Sequence, residues 1–192
     1  VQIKTEAFAS LYNQYGTNVV DKVIAHHEEN GGMSRFEKIK FYHSSFLHKI
    51  IDGDELNEVA NQFSKLVVKK VISSPYVPGA IEYIKKCYKQ YDLFISTGTP
   101  TNEIKQILQG REISQYFKDV FGSPENKTGH LNQILSNYHL KSNEMIFYGD
   151  SKTDYVAAKN TEIPFILIKN SFNQSFSGSF KGEIINNFKD VE

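Results

Sequence analysis

Short apolar runs in the second part of the chain constrain the fold most strongly, because a helix-like pattern follows each of them. The runs occupy residues 92–97, 120–121, 144–148 and 164–168. Strands that alternate with helices are joined by right-handed crossovers, so this order predicts a parallel sheet with helices on both faces. We therefore expect an α/β fold for this part of the chain.

The first part of the chain shows helical periodicity only. Leu56, Val59, Phe63 and Val67 follow the spacing of one apolar helix face. Ser34 stands where the N-cap of another helix is expected. These patterns predict an all-helical domain at 1–74, with a linker helix at its start, followed by the α/β domain at 75–192.

Charge and cysteine content exclude several classes of protein. Lysine plus arginine and aspartate plus glutamate number 22 each, so no electrostatic case exists for nucleic-acid or membrane-surface binding. No apolar run approaches the ~20 residues of a membrane-spanning helix. The single cysteine, Cys87, cannot form an internal disulfide. We expect a cytoplasmic protein, because no signal peptide is recognisable.

Polar residues follow the apolar runs at the positions where a parallel sheet binds ligands. Thr97-Gly98-Thr99 follows the first run, Lys127 follows the second, and Asp150 and Asp154 follow the third. Glycine N–H groups, a threonine hydroxyl and a lysine suit a phosphate group, and aspartates are ligands that Mg²⁺ accepts. The sequence therefore predicts a phosphate and metal site at this edge.

This ordered set resembles the haloacid dehalogenase (HAD) superfamily of phosphatases and phosphotransferases. The segment LFISTGTP is similar to its second motif, GSPENK to the third and MIFYGDSKTD to the fourth. The helical domain matches the position of the helical C1-type cap, and GGMSR resembles the cap segment of the phosphoglycolate phosphatase and β-phosphoglucomutase-like branch. The resemblance implies a HAD-like Rossmannoid core with a helical cap.

The resemblance also implies roles for individual residues. Thr97, Lys127 and Asp150 would be catalytic, Gly98 and Thr99 would bind substrate, and Asp150 with Asp154 would hold Mg²⁺. The implied reaction is hydrolysis of a small-molecule phosphate ester through an aspartyl phosphate. We expect Lys127→Ala and Asp150→Asn to remove most turnover from a complete protein.

Arg35 would bind substrate from the cap, since a guanidinium suits a carboxylate or a second phosphate. Lys38 and His43 are weaker candidates, expected to be solvated and packed respectively. His26 and His27 are interpreted as a surface pair, because they lack companion ligands at metal spacing.

The resemblance departs from the family at its first motif, a strand followed by D-x-D. We expect that this nucleophile-bearing segment is absent from the chain and that the 192-residue polypeptide alone has negligible phosphatase activity. Asp52-Gly53-Asp54 is a D-x-D without a preceding strand, and we interpret it as a turn with an N-cap.

Alternative functions remain open at this stage. A phosphomutase or phosphotransferase would use the same site, and a non-catalytic HAD-like binding module would result if the chain truly starts at Val1. The sequence identifies neither the phosphate ester nor the oligomeric state.

Overall fold

The computed structural model describes residues 2–191. A helical segment comes first, and local sequence features explain where its helices begin and end. Gly16 has a φ of 89°, which suits the left-handed bend between the first two helices. Ser34 forms a capping box with Glu37, and Asp52 accepts a hydrogen bond from the Glu55 N–H, so both are N-caps as predicted. The four helices are α1 (Gln2–Tyr12), α2 (Thr17–Glu29), α3 (Arg35–Phe46) and α4 (Gly53–Ile72).

Aromatic side chains form the core of the helical segment. Phe8 lies 4.3 Å from Phe63 and 5.5 Å from Tyr42, measured between ring centroids. All three side chains are almost fully buried. Each buried aromatic ring of this kind stabilises the folded state by roughly 1.5–3 kcal/mol.

An α/β segment follows, and its alternating order confirms the predicted fold class. Its elements are α5 (Ala80–Cys87), β1 (Phe94–Pro100), α6 (Thr101–Gly110), β2 (Asp119–Ser123), α7 (Lys127–Asn137), β3 (Phe147–Gly149), α8 (Lys152–Asn160), β4 (Phe165–Ile168), α9 (Gln174–Ser179) and β5 (Glu183–Ile185). Short 3-10 turns lie at Asn13–Tyr15, Ser114–Tyr116, Ser142–Glu144 and Phe188–Asp190. The sequence patterns missed β5. The division into domains at 74/75 stays a prediction.

The strands form two parallel sheets. In one sheet β1 pairs with β2, and in the other β4 lies between β3 and β5. Among the described residues no ladder joins β1 to β3, although α7 packs on β1 and on α8, and α8 packs on β3. Within residues 2–191, β1 and β3 therefore each have one edge without a ladder partner, and we call these two unpaired edges together the β1/β3 slot.

Burial differs between the edge strands and the middle of the second sheet. In β4, Ile166 and Leu167 are buried, as expected for a parallel strand covered on both faces. In β1 and β3, by contrast, Ile95 and Tyr148 are only partly buried. The slot therefore leaves both backbone edges and part of the neighbouring apolar surface uncovered.

Two arginines connect the helical segment to α6. Arg111 donates to the carbonyl oxygens of Val71, Ile72 and Ser74 at 2.7–2.9 Å, so its guanidinium satisfies the C-terminal end of α4. Arg35 reaches Glu103 of α6 from the start of α3. These contacts hold α3 and α4 against the α/β segment.

Within residues 2–191, none of the helices combines the length and the apolar character that crossing a membrane requires.

Candidate active site

The carboxyl ends of the strands line one cavity of about 780 Å³. Thr97, Gly98 and Thr99 at the end of β1, Lys127 at the start of α7 and Asp150 after β3 are all on its wall. Parallel strands bring these residues together although they are up to some fifty positions apart in the sequence. The structure thus places five predicted site residues around one space, as the strand-end argument expects.

Lys127 and Asp154 form an ion pair beside this cavity. Lys127 Nζ donates to Asp154 Oδ1, and the two side chains are only 10% and 6% exposed. The other carboxylate oxygen, Oδ2, accepts from the Ser151 hydroxyl at 2.6 Å and from its N–H at 3.0 Å. Asp154 therefore does not line the cavity but fixes Lys127, and a capping box at the start of α8 fixes Asp154.

The loop before α3 touches the end of β1 backbone to backbone. A Cβ added to Gly98 would lie 2.9 Å from the Gly32 carbonyl oxygen. Gly32 has a φ of 107°, and a Cβ there would lie 3.0 Å from Lys127 Nζ. Only glycine fits at both positions, so the tip of the helical segment sits directly on the predicted phosphate-binding residues.

The threonines of β1 are not equivalent. Thr97 Oγ1 accepts from the Thr99 N–H at 3.2 Å, which leaves its hydroxyl proton available. Thr99 is buried, and its hydroxyl accepts from Lys4 Nζ at 3.2 Å. Lys4 also lines the cavity, and burial is the main cause that lowers the pKa of its amine.

Asp150 is the carboxylate that faces the cavity. Its Oδ2 accepts from Asn170 at 3.0 Å, and its backbone carbonyl accepts from Asn173 at 2.8 Å. Its pKa is raised, first because the surrounding protein limits its hydration and second because Asp154 is nearby, while Lys127 opposes the shift. A cation bound beside Asp150 would stabilise its charged form and so lower this pKa.

The donor set for magnesium is incomplete within the described residues. Asp150 offers the hard oxygen that Mg²⁺ accepts, whereas Asp154 uses both oxygens within the protein. Between residues 2 and 191, no three acidic, histidine or cysteine side chains are grouped closely enough to hold a metal ion. The chemistry of Asp150 fits magnesium, and further oxygen ligands are needed.

Arg35 differs from the expectation of a guanidinium that is free for substrate. It is 5% exposed, and its donors reach Glu103 Oε1 at 2.5 Å, Ser64 Oγ at 2.5 Å and the Ala60 carbonyl at 3.3 Å. The Phe63 ring lies 4.6 Å away on one face. Arg35 still lines the cavity, so its substrate contact stays a prediction, but its charge is already matched by Glu103.

Residues of the helical segment add to the site beyond what the sequence patterns identified. Lys38, a weaker candidate that could have been solvated, is 2% exposed and lines the cavity. The interpretation of His27 as a surface residue is wrong, because it is 5% exposed and lines the cavity too. His43 is buried as expected. Lys4 was missed altogether. The weak helical periodicity of α1 and α3 gave no signal for the inward direction of these lysines.

Comparison with known proteins agrees with the strand-end motifs. The family model for haloacid dehalogenase-like hydrolases matches residues 2–168. The chain belongs to this family. The match includes the helical segment as well as β1 to β4, so the family covers both parts of the site.

Three individual proteins are similar to this chain in sequence or in structure. A phosphoglycolate phosphatase from Vibrio parahaemolyticus is 36% identical over 75 residues, which are 36% of this chain and 33% of that protein. The β-phosphoglucomutase of Clostridium difficile superposes with a TM-score of 0.78 at 14% identity and covers 100% of this chain and 86% of that one. YfnB from Bacillus subtilis, assigned as a HAD-hydrolase and described as bound to magnesium, has a TM-score of 0.68 at 15% identity, with 99% and 89% covered.

The matched region is about a third of the length of the Vibrio parahaemolyticus relative. The two structural similarities, both at low sequence identity, show the fold alone. The fold and the family are thereby shown, and the reaction must be argued from the site.

Proposed function

We propose that this chain carries the phosphate-binding half of a phosphatase that hydrolyses a small phosphorylated metabolite. The observation that carries the proposal is the shared cavity, with Thr97, Lys127 and Asp150 on its wall. Charge stabilisation and positioning dominate phosphoryl transfer, and these residues supply both. The similarity to phosphoglycolate phosphatases supports the same reaction class.

Each residue has a defined task in this proposal. The Thr97 hydroxyl and the backbone N–H groups near Gly98 donate to phosphoryl oxygens. Lys127 opposes the negative charge that accumulates as the ester bond breaks, and Asp154 holds its ammonium group in place. A carboxylate displaces the alcohol from phosphorus, the alcohol leaves with a proton, and water then hydrolyses the acyl phosphate.

Asp150 would hold Mg²⁺, with Asp154 as a supporting carboxylate. When bound, the ion would neutralise charge on the phosphoryl oxygens. Thr97, Lys127 and Asp150 keep their positions around the same cavity through contacts within the chain.

The attacking carboxylate is proposed to come from a strand that fills the β1/β3 slot. Asp154 is committed to Lys127 and Ser151, so it does not offer a free nucleophile. Thr97 lies in the carboxyl-terminal half of β1, and Asp150 directly follows β3. A parallel strand in the slot would pair both free edges and end beside the phosphate-binding residues.

The test is a panel of small phosphate esters incubated with the full natural protein and Mg²⁺. Phosphate release that disappears with chelator and with Lys127→Ala is the expected result. Isomerised ester without phosphate release, followed by ³¹P NMR, would favour the phosphomutase instead. Ester binding without either reaction would favour the non-catalytic module.

A further inference from the structure

Lys38 is a buried cation whose charge has no carboxylate partner. It is 2% exposed and lines the cavity. Its Nζ contacts His27 Nδ1 at 2.8 Å and the His27 carbonyl at 3.2 Å. The ion pairs found among residues 2–191 do not include Lys38. An ammonium group has three donors, so one remains for a ligand in the cavity.

His27 also has an unused polar atom. Because its Nδ1 accepts from Lys38, the network assigns the proton to Nε2. That atom is buried and has no hydrogen-bond partner within the described part of the chain. Burial and the neighbouring lysine lower the pKa of His27 to about 3, so the ring stays neutral and accepts from Lys38 near neutral pH.

Lys4 connects this pair to the phosphate-binding end of the cavity. It donates to Thr99, and its charge acts on both Lys38 and Lys127. Like Lys38, it is in none of the ion pairs recorded for residues 2–191. The cavity wall thus carries the lysines Lys4, Lys38 and Lys127 together with the carboxylates of Glu28, Glu29 and Asp150.

Arg35 contrasts with Lys38 although both lie on α3. Its guanidinium already binds Glu103, Ser64 and a main-chain carbonyl. A ligand that used Arg35 would have to compete with Glu103, whereas one that used Lys38 would supply a missing counter-charge.

We propose that Lys38, oriented by His27, is a specificity-determining residue that binds a second anionic group of the substrate. The group is a carboxylate or a second phosphate at the end of the molecule remote from the phosphoryl group that Thr97 and Lys127 bind. The proposal rests on the proposed function, because the first phosphoryl group fixes which end of the cavity the second anion occupies. It assigns anion recognition to Lys38 rather than to Arg35.

Three esters with the same two-carbon skeleton test the proposal in the full natural protein with Mg²⁺. 2-Hydroxyethyl phosphate carries no second anion, 2-phosphoglycolate carries a carboxylate, and ethylene glycol bisphosphate carries a phosphate. Values of kcat/KM are compared for wild type, Lys38→Met and the control Lys40→Met. Lys40 is an exposed lysine two positions further along α3, so its replacement removes the same charge outside the cavity.

Wild type is expected to prefer at least one doubly anionic ester over 2-hydroxyethyl phosphate by about tenfold or more, as for a charge-assisted hydrogen bond. Lys38→Met should abolish that preference, so that its kcat/KM for each doubly anionic ester falls to the value for 2-hydroxyethyl phosphate. Lys40→Met should behave as wild type. The doubly anionic ester with the higher kcat/KM identifies the second group as a carboxylate or a phosphate.

A preference that survives in Lys38→Met overturns the assignment of Lys38, as does a wild type without preference. If Lys38→Met does not yield folded protein, Lys38→Gln gives the same comparison, because it also removes the charge. Failure of wild type to turn over any of the three esters contradicts the proposed function itself. Turnover of 2-hydroxyethyl phosphate without a preference for a doubly anionic ester contradicts only the assignment of Lys38.

Discussion

At the scale of single residues, the lysines of the cavity are held in different ways. Lys127 has a carboxylate partner and a fixed position, while Lys38 contacts a neutral histidine and is in none of the ion pairs found in the described part of the chain. The first arrangement suits a residue that must meet charge developing on a phosphoryl group. The second suits a residue that recognises charge already present on a ligand. Their substitution should therefore have different consequences.

Lys127→Ala should abolish turnover and destabilise the fold as well. Removal of the ammonium leaves the Asp154 carboxylate buried without its partner, which costs roughly 3–5 kcal/mol when a buried pair is broken. We expect kcat to fall by at least about 100-fold. Phosphate release and urea unfolding measure the two effects. Lys159→Ala, an exposed lysine of α8, is the control; equal losses in both variants would contradict the role of Lys127.

Anion binding at Lys38 should weaken as the pH rises. Burial and Lys4 lower the pKa of the Lys38 amine to about 7, so the charged form that binds an anion is lost above that pH. The neighbouring charged and titratable groups are Lys4 on α1, His26 and neutral His27 on α2, and Arg35 already paired with Glu103, and Glu28 and Glu29 of α2 line the same cavity. We expect the KM for 2-phosphoglycolate to rise between pH 7 and 9, where the phosphate group stays dianionic, and Lys38→Met to flatten this profile. A profile unchanged by the substitution would contradict the prediction.

At the scale of elements, α6 is the surface on which the helical segment rests. Arg111 satisfies the end of α4, and Glu103 receives Arg35 from α3. Both contacts are made by side chains that lie near opposite ends of α6. The position of the helical segment over the cavity therefore depends in part on the hydrogen bonds and the ion pair that Arg111 and Arg35 make.

Glu103→Gln should destabilise the protein by about 3–5 kcal/mol, because it leaves the Arg35 guanidinium buried without a carboxylate. Glu6→Gln is a matched control, since it breaks an exposed ion pair with Lys70 and should cost less than ~1 kcal/mol. Urea unfolding of both variants gives the comparison. Similar losses for both would show that the Arg35–Glu103 pair does not hold the segments together.

At the scale of the whole molecule, the β1/β3 slot divides the sheet. Interior strands of a parallel sheet are normally paired on both edges. Within residues 2–191, β1 and β3 each have one edge without a ladder partner, while β4 is paired on both sides. The slot should therefore be the least protected part of the α/β segment.

Hydrogen exchange followed by NMR tests this expectation. In the 192-residue chain, some amides of Phe94–Pro100 and Phe147–Gly149 should exchange quickly, while those of Phe165–Ile168 stay protected. A longer natural protein that supplies a strand to the slot should protect all three. Equal protection in the shorter chain would mean that the slot is closed by other means.

The sequence predicted the parts of the molecule that depend on local pattern. Strand-end chemistry located Thr97, Lys127 and Asp150, and side-chain caps located the starts of α3 and α4. The sequence did not predict features that depend on tertiary contacts. The inward direction of Lys38 depends on His27 from another helix, and the partner of Arg35 is Glu103, 68 positions away. The break in the sheet is likewise invisible to periodicity, because each strand satisfies its own pattern.

The contact between Gly32 and Gly98 bears on how related sequences vary. The two backbones touch without an intervening side chain, and a Cβ on Gly98 would come within 2.9 Å of the Gly32 carbonyl. A larger residue at position 98 cannot be absorbed by rotating a side chain, because the obstacle is the backbone of Gly32. Relatives with a larger residue at position 98 should therefore have a lengthened or shortened loop before α3, which moves the carbonyl of residue 32 away.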